Sequence, residues 1–171
     1  AGSLRVIELA GGPEVIAADA RFAASPVPVV AHVAGAALYV LLGAFQFRRR
    51  RPRWHRAAGR VLVAAGLVVA LSALWMTIAF PAKEGTGDLL YLERLLFATA
   101  MAVSLVFGFA AIRRRDVAGH RAWMIRAFAL ALAAGTQVFT QAAATGLAGT
   151  DLAMGAGWAL NVAVAEWVIR S

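Results

Sequence analysis

Along this chain, apolar runs long enough to cross a bilayer alternate with short clusters of charged and turn-forming residues. The first run covers residues 27–47 and ends at Arg48-Arg49-Arg50-Arg51-Pro52-Arg53. The second, 57–80, is stopped by Pro81 and the turn-like Lys83-Glu84-Gly85-Thr86-Gly87-Asp88. The third, 89–112, ends at Arg113-Arg114-Arg115-Asp116, and the fourth, 122–145, at Gly146 and Gly149-Thr150-Asp151. The fifth, 152–169, is the shortest. A hydrocarbon core about 30 Å thick needs about 20 helical residues, so four runs fit and the fifth is short but sufficient. The period-two alternation of a membrane β-barrel is absent. The pattern predicts an all-α polytopic transmembrane bundle of five helices, one domain over residues 27–171. Residues 1–26 hold Gly11-Gly12-Pro13, several acids and no long apolar run. They read as an extracytoplasmic lead-in with room for one short interfacial helix, without the signature of a signal peptide.

Composition agrees with lipid as the solvent. The 171 residues are 61% hydrophobic and 15% charged, where a soluble domain is nearer half and a quarter. With no Cys, disulfides, thiolate metal sites and cysteine nucleophiles are excluded. There is no phosphate-binding Gly loop, no G-x-S-x-G elbow and no H-E-x-x-H, so hydrolase and nucleotide-driven readings lose support.

The net charge of +8 would suggest a nucleic-acid partner until the charges are located. Arg48, Arg49, Arg50, Arg51, Arg53, Arg56, Arg60, Arg113, Arg114, Arg115, Arg121, Arg126 and Arg170 fall on one side, 13 of the 17 basic residues, against Asp116 and Glu166. The other side carries Arg5, Arg21, Lys83 and Arg94 against seven acids. Basic loops stay in the cytoplasm, so this asymmetry predicts an inner-membrane protein with its C-terminus inside. The expected partners are the bilayer, anionic phospholipid at the cytoplasmic face and membrane-protein subunits, and no nucleic acid.

Few residues could carry chemistry. His55 and His120 open the second and fourth helices at similar depth. If those helices are neighbours, the two imidazoles could ligate a haem b iron, the only metal role they suggest. Arg56, Arg60, Arg121 and Arg126 would then hold propionates or another anion. Both histidines could equally be interfacial residues touching lipid phosphates. His32 lies inside the first helix on a stripe with Gly35, Tyr39, Gly43 and Gln46, and reads as a hydrogen-bonded structural residue or a quinone head-group donor. Glu93, Gln137, Gln141 and Asn161, with His32, would form one outer-leaflet polar cluster, acting as interhelical glue or as a ligand pocket.

Arg21-Phe22, His32, Gly43-Ala-Phe-Gln46-Phe, His55-Arg56-Ala-Ala-Gly59-Arg60, Gly119-His120-Arg121-Ala-Trp123-Met124-Ile-Arg126 and Asn161-Val-Ala-Val-Ala-Glu166-Trp167 occur in that order. Together they resemble the bacterial membrane-protein family known as domain of unknown function 2306, over roughly residues 20–168. The resemblance implies a multi-helix inner-membrane protein and assigns no activity. It also implies a further helix before the Arg21-Phe22 segment in relatives, which would make six helices and a cytoplasmic N-terminus. Three readings remain open: a redox component binding haem b or a quinone, a non-catalytic accessory or lipid-binding subunit of a larger complex, and a solute or proton path through Glu93, Gln137 and Asn161.

Overall fold

The computed structural model describes residue 22 and residues 25–46, 52–82, 85–144 and 150–171. Five helices follow in chain order: α1 (Val27–Gln46), α2 (Pro52–Ala79), α3 (Asp88–Arg113), α4 (Val117–Ala143) and α5 (Thr150–Arg170). All five are long and apolar enough to span a membrane, and no strand occurs among the described residues. The fold class expected from the apolar runs is therefore the observed one. Of the expected lead-in over residues 1–26 all but residues 22, 25 and 26 lie outside the described residues, as do the arginines at 48–51.

Two helices start earlier than their apolar runs. α2 begins at Pro52 and takes in Arg53, His55 and Arg56, while α4 begins at Val117 and takes in His120 and Arg121. Hydropathy ends a segment where charge begins, but a backbone in the interfacial region keeps its helical hydrogen bonds while long arginine stems carry charge to water. Proline suits the first helical position because its fixed φ is helical and its missing N–H is not needed there. Asp116 caps α4 by accepting from the Gly119 N–H at 2.8 Å.

α1 packs on α2, α2 on α3, α3 on α4 and α4 on α5, and α5 also touches α3. A lighter contact between α1 and α4 closes α1–α4 into a ring. That contact forms where Phe128 of α4 lies against Tyr39 and Gly43 of α1, in the half of the bundle nearer the arginines. The core gathers Tyr39, Leu62, Val69, Met101, Leu105 and Leu130. Lipid is as apolar as these side chains, so burial alone does not drive them together; close van der Waals packing at small residues does. Gly66 shows the tightness: a Cβ there would sit 2.7 Å from Leu105 Cδ1 and 2.8 Å from Tyr39 Cε2. Large apolar side chains such as Leu41, Ile78, Phe139 and Trp167 point outward, as a lipid-facing surface requires.

The Asp151 carboxylate, at the start of α5, reaches the start of α3. It accepts from the Gly87 N–H at 2.8 Å and the Leu90 N–H at 3.3 Å. Gly87 has no side chain with which to cap its own helix, so a neighbouring helix supplies the acceptor.

Packing at Gly66 and open space at Gly59 predict opposite effects of the same methyl group. Gly66→Ala should destabilise the detergent-solubilised protein by about 1–3 kcal/mol through overpacking. Gly59→Ala, which meets nothing within 4 Å, should be neutral or stabilise by up to about 1 kcal/mol through helix propensity. Thermal unfolding of the two variants side by side checks the contrast.

Candidate functional site

Between the helices, in the half away from the arginines, lies a cavity of about 610 Å³. Small residues make the room: Ala36 on α1, Ala70 and Ala73 on α2, Ala98 on α3, and Ala131 and Ala134 on α4 all line it. Met101 and Leu130 form its deep end, and Phe97 and Trp158 stand on one wall. Those two rings stack at 4.9 Å between centroids and 21° between planes, a flat aromatic surface. The volume falls in the range of small-molecule sites, whose walls are mainly apolar with a few placed polar groups.

The polar groups are His32, Thr77, Thr86, Tyr91, Arg94 and Gln137. His32 Nδ1 lies 3.0 Å from the Val69 carbonyl oxygen and 3.1 Å from Ser72 Oγ, which ties α1 to α2. Ser72 Oγ donates to the Val68 carbonyl at 2.6 Å. Gln137 Nε2 donates to the Met154 carbonyl at 3.1 Å, tying α4 to α5. Gly157 makes that possible, because a Cβ there would overlap the Gln137 side chain.

Exposed Pro81, Ala82, Gly87 and Tyr91 form a rim at the end opposite the arginines. On the side where α1 and α4 pack only lightly, Ala36 and the exposed Ala134 lie on the lining.

The five residues expected to form one polar cluster are instead distributed over different settings. His32 and Gln137 line the cavity. Asn161 accepts from Thr136 Oγ1 at 2.9 Å and donates to the Ala129 carbonyl at 3.0 Å, which makes it an α4–α5 tie. Gln141 is exposed and donates to the Gln137 carbonyl of its own helix. Glu93 packs against Gly155 of α5, off the lining, with Oε2 buried and without a hydrogen-bond partner. Helical periodicity places residues on a face, but neighbour order decides which faces meet, and α4 turns Thr136 and Gln137 to α5.

At the arginine-rich end, the condition for a shared His55–His120 site was that α2 and α4 adjoin; instead α2 packs on α1 and α3, and α4 on α3 and α5. His55 is exposed on α2. His120 is partly buried, and its Nδ1 lies 2.8 Å from the Gly108 carbonyl of α3. Arg56, Arg60 and Arg121 are exposed. Arg126 instead turns inward, forming a bidentate pair with Glu166 through Nε and Nη2 and lying 4.9 Å from the Trp123 ring centroid. Arg170 adds a longer contact to Glu166 at 3.6 Å. Among the described residues no group of three or more His, Asp or Glu side chains could hold a metal ion.

Sequence reasoning missed Ser72, Thr77 and the Phe97–Trp158 wall. Ser72 did carry a signal, as a polar residue deep in an apolar run and therefore in need of a partner from another helix. The alanines that open the cavity carried none, since alanine is equally common in tight contacts.

The family model for predicted membrane proteins of the family DUF2306 matches residues 29–169, and the chain belongs to that family. No curated protein and no solved structure matches it.

The Arg126–Glu166 pair is about 28–29% exposed on both sides, so either partner alone would be left a charge at a lipid boundary. Arg126→Met and Glu166→Leu should each lower stability by about 1–3 kcal/mol. The double variant should lose at least about 1 kcal/mol less than the sum of the two. Unfolding in detergent as a double-mutant cycle checks this; additive losses would show that the pair contributes no coupling.

Proposed function

We propose that this membrane protein is a redox component that holds the ring of a lipid-soluble quinone in the cavity between its helices. The observation that carries the reading is His32, fastened to Val69 of α2 while it lines an apolar chamber. A quinone ring needs a dry flat surface and a small number of polar groups at its oxygens. Phe97 and Trp158 supply the surface, and His32 and Gln137 line the same chamber to meet the oxygens. The isoprenoid tail would leave beside Ala36 of α1 and the exposed Ala134 of α4, whose helices pack only lightly. A haem b between His55 and His120 has less support, because one imidazole is exposed and the other is turned onto α3. We place the arginine-rich end and the C-terminus in the cytoplasm of a bacterial cell, on the charge asymmetry. Anionic phospholipid would then meet exposed Arg53, Arg56, Arg60 and Arg121.

Trp158 on the lining makes binding observable. Titrating the detergent-solubilised protein with decylubiquinone should quench tryptophan fluorescence saturably. Phe97→Ala, which removes the ring stacked on Trp158, should weaken the apparent affinity roughly tenfold, the scale of one lost aromatic contact and its buried area, and His55→Ala should leave it unchanged. Absence of saturation, or equal weakening by both variants, overturns the reading. A Soret band lost in His55→Ala or His120→Ala would assign haem to the arginine-rich end instead.

The chain has no cysteine, so orientation can be read with single introduced ones. Thr86→Cys should react with an impermeant maleimide in intact spheroplasts, and Ser171→Cys only after lysis. The reverse pattern would invert the proposed topology.

A further inference from the structure

We infer that the cavity prefers a hydroxyl-bearing ring, a hydroquinone, over the quinone with carbonyls at the same positions. The inference rests on the quinone reading above and names which redox form that site retains.

The argument is an accounting of protons. The Val69 carbonyl, 3.0 Å from His32 Nδ1, is an acceptor only. Ser72 has one hydroxyl proton, and its closest acceptor is the Val68 carbonyl at 2.6 Å. Ser72 Oγ therefore faces Nδ1 as a second acceptor at 3.1 Å. Two acceptors at Nδ1 require the proton on Nδ1. A neutral imidazole in that tautomer carries its lone pair on Nε2. Nδ1 is held on α2 while His32 lines the cavity, so the edge of the ring left to face a ligand carries Nε2.

Two other lining residues follow the same rule. Gln137 must put its amide nitrogen toward the Met154 carbonyl at 3.1 Å, which leaves Oε1 and the second N–H. Thr77 donates its hydroxyl proton to the Ala73 carbonyl at 2.8 Å, which leaves its lone pairs. In each case a backbone carbonyl accepts a hydrogen bond and an acceptor remains on the side chain. Arg94, the charged residue on the lining, already has an interaction of its own. A ligand hydroxyl against His32 Nε2 makes a hydrogen bond; a ligand carbonyl there sets lone pair against lone pair.

Isothermal titration under anaerobic conditions, with decylubiquinol and decylubiquinone as probes, tests this. The wild-type protein should bind the quinol at least roughly tenfold more tightly, the scale of one hydrogen bond gained against one repelled. His32→Asn keeps an N–H for the Val69 carbonyl and lacks the second ring nitrogen, so it should bind both probes alike. Equal wild-type affinities, or tighter binding of the quinone, overturn the inference and leave the quinone site standing. Binding of neither probe removes the site itself and the inference with it. The wild-type comparison decides the matter even if the variant does not fold.

Discussion

A polar atom within lipid must find its partner inside the protein, and the rest of this bundle follows from that requirement. Helices satisfy their own backbones, so the burden falls on side chains. His32 meets it on α2, Gln137 on α5, Asn161 on α4, Arg126 on Glu166 of α5, and His120 on α3. Each of these bonds joins two helices. Together with glycine contacts such as Gly66 and Gly43, they supply what the hydrophobic effect supplies in water.

The same requirement shapes the cavity. Three of its polar residues, His32, Thr77 and Gln137, are fastened to the carbonyls of Val69, Ala73 and Met154, and so they present fixed faces to a ligand. Preorganisation of this kind removes the ordering cost from binding. The Asp151 bridge to Gly87 and Leu90 ties α5 to the α3 end of the rim.

The two ends of the bundle divide the work. One end concentrates arginine at helix termini, with His55, Arg56 and Arg60 exposed on α2 and only the Arg126–Glu166 pair turned inward. The other end contains the cavity and little net charge. Arg49-Arg50-Arg51 before His55 echoes Arg113-Arg114-Arg115 before His120, yet the two histidines differ in surroundings. Gly108 accounts for the difference: without a side chain it lets α4 come close, with Met124 against it, and its carbonyl meets His120.

The linear sequence by itself determined the solvent, the number of spans and the segregation of arginine, because apolar run length and charge position are properties of neighbouring residues. It also marked His32 and Gln137, since a polar residue inside an apolar run needs an explanation wherever it occurs. Only the tertiary structure decided that these two share a cavity while Asn161, Gln141 and Glu93 stay outside it. It alone set His55 and His120 in different surroundings, and it alone showed that Ser72 completes the His32 bond. Those outcomes depend on which helix lies beside which, and helical periodicity is silent on neighbour order. Packing at glycine and alanine chose that order, and the void it left became the candidate site.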